Sequence, residues 1–190
     1  MIKNTLPAFM LSLLVCSECL ATPRDARSSD LQQFLEQSLD DKSGFRDHFD
    51  AQVWLLDMST RLSRFVDDHP EALQILKAVH REASAAGLEP DLVMALIQVE
   101  SYFDRYAVSR VGAQGLMQIM PFWKYEIGRP ADNLTDIDTN IRYGCRILQF
   151  YLKREKGNMT KALARYNGSV GKTWYPERVM NAWYGYWIEG

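Results

Sequence analysis

Cysteine is scarce in this chain: 190 residues hold three, and two of them, Cys16 and Cys19, stand close to the start. The remainder keeps only Cys145, and a single cysteine cannot close an internal disulfide. Cys145 lies inside a helical pattern and reads as a small buried hydrophobe rather than a nucleophile. Histidine is equally sparse. His48, His69 and His80 are scattered, with no metal-ligand spacing to one another or to a cysteine, so neither a metal nor a cofactor is expected. A surplus of one charge is missing too. Lys plus Arg number 22 against 24 for Asp plus Glu, a net charge of -2, with no basic stripe to form a nucleic-acid footprint. Long apolar runs are absent after the first residues, which excludes an integral membrane segment from the mature chain. Period-two strand patterns and internal repeats are also lacking.

What is present begins with an export signal. Lys3 gives a positive start, Leu6 to Val15 is almost wholly apolar, and Cys19-Leu20-Ala21 follows as a small-x-small site. This predicts a secretory signal peptide over residues 1–21, too short to span a membrane. Val15 and Glu18 fit poorly before a lipidated cysteine, so simple export is the expectation.

The rest reads as helix, and the fold class expected is all-α. Asp30 caps a predicted helix through Leu39, and an amphipathic stretch runs from about Arg46 to Asp67. His69-Pro70 starts another helix, with Leu73, Leu76, Val79 and His80 on one side and Gly87 as its C-cap. Pro90 suits the first turn of the next. A short helix is expected within Gly112 to Pro121. Asp138 or Thr139 is the predicted cap of a helix carrying Ile141, Cys145, Leu148 and Leu152, and Thr160 the cap of one ending at Asn167-Gly168. An aromatic-rich helix runs from about Pro176 to Ile188. Residues 22–86 contain no chemical motif and form an N-terminal helical extension. Residues 87–190 hold every candidate site and most of the tyrosines and tryptophans.

Chemistry centres on Glu100. It follows Leu92-Val93-Met94-Ala95-Leu96-Ile97-Gln98-Val99, a helix apolar on nearly every side. Such a helix is central, and its end faces a cleft. Desolvation there disfavours the carboxylate and raises the pKa, as a general acid working near neutral pH requires. Asp104 lies one turn on, but a helical i,i+4 pair sits on one side of a bound sugar and cannot flank its bond. It reads as a capping or structural residue. Aromatics at Trp174, Tyr175, Trp183, Tyr184, Tyr186 and Trp187 divide between core and surfaces suited to stack on sugars.

In order along the chain, Glu100-Ser101-x-Phe103-x-x-x-Ala107-Val108-Ser109-x-x-Gly112-Ala113-x-Gly115-Leu116-Met117-Gln118-Ile119-Met120-Pro121 resembles the signature of the soluble lytic transglycosylases. Asn133-Leu134, Asn140-Ile141, Gly144, Tyr166-Asn167-Gly168 and Tyr175-x-x-Arg178-Val179 continue the likeness, which covers roughly residues 86–180. The resemblance implies a lysozyme-like α fold and non-hydrolytic cleavage between N-acetylmuramic acid and N-acetylglucosamine. Glu100 would be acid and then base toward the muramic 6-hydroxyl, closing a 1,6-anhydro ring. By the same resemblance Ser101, Ser109, Met117, Gln118, Tyr166, Asn167 and Tyr175 bind the glycan or orient the glutamate. Two positions depart from the pattern: Arg105 stands where proline is common, and Arg165 where alanine is usual.

The implied partner is the peptidoglycan glycan strand, in the bacterial periplasm, with a monomer expected. A secretion or conjugation apparatus is a further candidate partner. Two alternatives stay open. A hydrolytic muramidase would need a positioned water and usually a second carboxylate, with Asp132, Asp136 or Asp138 as loop candidates. A glycan-binding module would have lost catalysis, against which intact Glu100, Ser109 and Gln118 argue.

Overall fold

The structure, a computed structural model, describes residues 48–188, with side chains over 52–188. The leader and the helix expected over residues 30–39 lie outside the described residues. Seven α-helices and one π-helical turn make up the rest: α1 His48–Leu62, α2 His69–Ala86, α3 Pro90–Ser101, α4 Trp123–Ile127, α5 Ile137–Arg154, α6 Met159–Asn167, α7 Trp174–Ala182, and the π turn Trp183–Trp187. The all-α expectation holds. Among the described residues the β content is two isolated bridges.

Local chemistry sets most of the boundaries. The Asp68 carboxylate accepts from Glu71 N (3.2 Å) to start α2, and Gly87 closes it at φ 66°. Helix α1 stops at Leu62, short of the expected Asp67. The chain turns over residues 63–65, which brings Val66 into the core. The caps of α5 and α6 also differ from expectation. Asp136, not Asp138 or Thr139, accepts from Thr139 N (2.9 Å). Asn158, not Thr160, accepts from Lys161 N (3.0 Å). In each case the true cap is the extended residue just before the first helical one, where its side chain reaches N3. The last helix begins at Trp174 and widens into the π turn instead of running evenly to Ile188.

Helix α3 is the centre. Leu92 to Ile97 are each 0% exposed, and the helix packs against α2, α7 and the π turn. Helix α5 joins α2 to α6. The end of α3 is braced by rings from both ends of the described chain. Phe65 lies 4.8 Å from Tyr102, 5.1 Å from Phe103, 5.6 Å from Tyr186 and 5.8 Å from Trp187, centroid to centroid. Trp187 is fully buried, and its indole N–H donates to the Gln98 side-chain oxygen at 2.7 Å. Arg61 donates to the Tyr186 carbonyl, and the Tyr186 hydroxyl donates back to the Arg61 carbonyl (2.7 Å). Aromatic pairs of this kind contribute about 1 kcal/mol each beyond their area, and of these rings Phe103 and Trp187 are buried.

Trp187→Ala should therefore cost about 3–5 kcal/mol of folding free energy, read from urea unfolding. Trp187→Phe keeps a ring but strands the Gln98 oxygen, and should cost about 1–3 kcal/mol. Unchanged midpoints for both variants would contradict the brace.

Candidate active site

Glu100 occupies the last turn of α3 and is half-buried. The helix ends abruptly after Ser101. Tyr102 and Phe103 both take left-handed backbone, at φ 55° and 66°, a conformation that costs non-glycine residues of order 1 kcal/mol. Phe103 is held there by burial against Phe65 and Trp187, and Tyr102 N–H closes onto the Gln98 carbonyl at 3.1 Å. Asp104 accepts from Tyr106 N (2.8 Å), a turn role that matches its structural reading.

Burial pushes the Glu100 carboxyl up to about 7. Two groups pull the other way: the Tyr175 hydroxyl, which donates to Glu100 Oε1, and the positive charge of Arg178 one turn further along α7. Tyr175 is 2% exposed. Burial, and then the nearby Glu100, hold its phenol well above the ordinary range, so it remains a hydrogen-bond donor at neutral pH. Tyr166 is pushed up in the same way, by burial first and by Glu100 second. Its hydroxyl donates to the Met117 carbonyl at 2.8 Å.

The segment 112–121 is no helix, contrary to expectation. Gly112, Gly115 and Gln118 sit at φ 88°, 74° and 50°, and a left-handed residue every third position prevents helical winding. Gln114 and Ile119 instead exchange backbone hydrogen bonds at 3.0 and 2.9 Å. Gly115 is required twice over: its φ is positive, and a Cβ there would meet the Leu134 carbonyl at 2.4 Å. Asn140, buried in α5, clamps the loop. Its amide donates to the Gln114 and Leu134 carbonyls (2.8 and 2.6 Å) and accepts from Met117 N (2.7 Å).

The sequence-predicted residues therefore divide. Tyr175 touches Glu100 directly. Tyr166 reaches the 112–121 loop. The Ser109 hydroxyl, just before that loop, accepts from Ala113 N within it (3.0 Å), and the Ser101 hydroxyl donates to Ile97 O (3.3 Å). Gln118 spends its amide N–H groups on the Ala107 and Gly115 carbonyls (3.2 and 3.0 Å), which leaves its oxygen to accept. Met117 is 0% exposed, its side chain packed against Gly144 and its backbone N–H and C=O taken up by Asn140 and Tyr166, so it supports the loop and has no surface for the glycan. Asn167 is exposed at the end of α6. Asn140, Arg178 and Trp187 were not singled out as site residues. Asn140 and Arg178 fall within the family-like motif, whereas Trp187 carries no signal beyond an aromatic-rich tail.

The two departures prove to be ion-paired. Arg105 donates to the Thr135 carbonyl (3.3 and 3.2 Å) and lies 3.9 Å from the Glu71 carboxylate. Arg165 pairs with Glu155. The three aspartates offered as a second carboxylate are committed as well, and Asp138 lies in the first turn of α5 rather than in a loop. Asp132 accepts from Tyr143 Oη (2.6 Å) and Arg129, Asp136 caps α5, and Asp138 binds Arg81 (2.7 Å) and Gln74 (2.8 Å). Burial pushes the Cys145 thiol far up, which removes it as a nucleophile. No cluster among the described residues could hold a metal ion, and no described helix is long and apolar enough to cross a membrane.

The model of the transglycosylase SLT domain family matches residues 77–181. Membrane-bound lytic murein transglycosylase C of Yersinia pestis (strain Pestoides F) and that of Yersinia pseudotuberculosis serotype O:1b (strain IP 31758) are each 33% identical over 116 residues, covering 53% of this chain and 32% of theirs. The chain thus spans about a third of the length of these relatives. Among solved structures, an inactive mutant of lytic transglycosylase Slt from Pseudomonas aeruginosa aligns at TM-score 0.46 and 29% identity, over 82% of this chain and 23% of that one. The 70 kDa soluble lytic transglycosylase of Escherichia coli aligns at 0.44 and 26%, over 84% and 24%.

Two outcomes test the electrostatics. Tyr175→Phe removes a donor that favours the charged form, so the Glu100 pKa should rise above about 7. Carbon-13 NMR titration of the side-chain carboxyl reads this directly, and a fall would contradict the assignment. Glu100 also links stability to pH. Its folded value is raised from 4.5 to about 7, so its contribution is fully present below pH 4.5 and is lost as pH rises through 7. Glu100→Gln should accordingly gain on the parent by about 3 kcal/mol between pH 4 and pH 8, measured by urea unfolding at both pH values.

Proposed function

The chain belongs to the transglycosylase SLT domain family, and from that membership we propose that it is an exported peptidoglycan lytic transglycosylase. Its substrate on this reading is the glycan strand of the bacterial wall, cut between N-acetylmuramic acid and N-acetylglucosamine. The observation that carries the reading is the carboxyl of Glu100: half-buried, raised to about 7, and held by a tyrosine donor.

The chemistry follows from that carboxyl. Protonated, Glu100 is the general acid that delivers its proton to the glycosidic oxygen as the bond breaks. The carboxylate left behind then takes the proton from the 6-hydroxyl of the same muramic sugar, whose oxygen attacks the anomeric carbon. The products are a free N-acetylglucosamine hydroxyl and a 1,6-anhydro ring, and no water is consumed. An internal hydroxyl held on the reacting sugar has a high effective concentration, which replaces a second protein carboxylate. A hydrolytic muramidase is less favoured because Asp132, Asp136 and Asp138 are each engaged in structural bonds.

Tyr175 orients the carboxyl and stabilises its charged form after the first proton transfer. Tyr166 and Asn140 fix the 112–121 loop, and on this reading Ser109, just before the loop, and the free oxygen of Gln118 within it are offered to the strand. The proposal extends to the chain's organisation. Residues 1–21 are an export signal, 22–86 a helical extension and 87–190 the catalytic domain of a monomeric periplasmic protein. Opening the wall locally for a secretion or conjugation apparatus is its finer form.

The test is digestion of purified sacculi, with the released muropeptides weighed by mass spectrometry. Products with 1,6-anhydro ends are expected, and reducing ends alone would make the protein a hydrolase. Glu100→Gln should lower the rate by at least about 10²–10⁴-fold; full activity in that variant would sink the acid-base assignment.

A further inference from the structure

A cavity of about 500 Å³ opens between α6 and the loop that leads into α7. None of the residues assigned to acid-base chemistry lines it. Its walls nevertheless run straight into the candidate site along the chain. Arg165 immediately precedes Tyr166 and Asn167, and Thr173 immediately precedes Trp174 and Tyr175.

Charge distinguishes this cavity. Lys161, Arg165 and Lys172 line it against a single carboxylate, Glu155. Arg165 and Glu155 are paired with each other, so their charges cancel. The ammonium groups of Lys161 and Lys172 are exposed and have no ion pair among the described residues. The result is a largely apolar recess that carries two uncompensated cations, and its volume lies in the range of ligand sites. Arg165 now has a use. The resembling family usually has alanine there, and an alanine would leave Glu155 unpaired on the wall, repelling any anion. Arginine neutralises that carboxylate and lets the two lysines set the sign of the field.

We propose that this cavity binds the carboxylate-bearing peptide stem of the glycan strand, with Lys161 and Lys172 as its anion partners. This rests on the peptidoglycan reading above. The amide-bearing sugars of the strand carry no free charge once the stem is attached, so the anionic groups of the substrate lie in the stems. A stem hanging from a sugar near Tyr166 and Tyr175 is the part of the substrate that a cationic recess on these two segments would recognise. The consequence is selectivity: strands whose stem carboxylates are free are held more tightly than strands whose stem carboxylates are amidated.

The experiment uses the full mature chain carrying Glu100→Gln, so that nothing turns over. Binding of soluble glycan oligomers is measured by calorimetry, with free stem carboxylates and with those carboxylates converted to neutral amides while the stem stays attached, at low and at physiological salt. The parent should favour strands with free stem carboxylates by about tenfold at low salt, and the preference should shrink as salt is added. In Lys161→Met/Lys172→Met the ratio of the two affinities should fall towards one. A parent ratio of one, a ratio insensitive to salt, or a double variant that keeps the preference would overturn the proposal. Wild-type digestion of the same strands reports the underlying reading separately. Absence of 1,6-anhydro ends would remove the transglycosylase reading, whereas their presence with a ratio of one removes only the stem site.

Discussion

Helix α3 has no solvent face along Leu92–Ile97, and that burial is the constraint from which the rest of the site follows. A helix enclosed on every side can carry a polar residue only at its end. Glu100 stands at that end, where the neighbouring elements are already in place for packing reasons. α7 and the π turn lie against α3 because the hydrophobic effect demands a cover for it. The same packing delivers Tyr175 to Glu100 and Trp187 to Gln98. The carboxyl is thus partly desolvated as a by-product of core formation, and the cost of charging it is set by the fold rather than by a neighbouring acid.

A second rigid element is tied to this site through Tyr166. The 112–121 loop contains little regular structure, so its backbone groups need other partners. Asn140 supplies three hydrogen bonds from one side chain, reaching the loop at Gln114 and Met117 and bonding Leu134 beside it. Tyr166 supplies another, to Met117 O. The loop is consequently fixed by a buried amide in α5 and a phenol in α6, while its own side chains fold inward. This explains why Met117 and most of Gln118 serve the loop's shape. A residue type that suggests ligand contact is here consumed in holding a strained backbone in place.

Much of this was legible in the order of residues. The apolar run before Glu100 gave the central helix and the raised carboxyl, because burial on all sides follows from the absence of a polar stripe. Gly87 and Pro90 marked their boundaries, since left-handed and fixed-φ positions are local requirements. The loop at 112–121 was not legible as a loop. Leu116 to Met120 has helix-compatible residues, and only the left-handed Gln118, imposed by tertiary bonds, shows why no helix forms. The caps at Asp136 and Asn158 were missed in favour of neighbours of equal propensity, because cap choice depends on which residue is extended. The brace of Phe65 on Trp187 joins residues far apart in the chain, and periodicity within one helix carries no information about such a pair.

The pKa of about 7 also bears on how one carboxyl does two jobs. Enzymes with paired carboxylates push the two pKa values apart, so that one stays protonated and the other charged. The mechanism proposed here asks a single group to be acid and then base, so it must be accessible in both states at nearly the same free energy. A group titrating near the working pH meets that demand. Burial alone would drive Glu100 higher, making a ready proton holder but leaving a carboxylate too costly to form. The Tyr175 hydroxyl and the Arg178 charge oppose burial and hold the balance. Tyr175 itself is kept protonated by the same buried surroundings, so its donor survives through both halves of the reaction. The site is therefore tuned by opposition between an apolar helix and two groups on α7. The contact that brings those two elements together is the one on which the proposed chemistry rests.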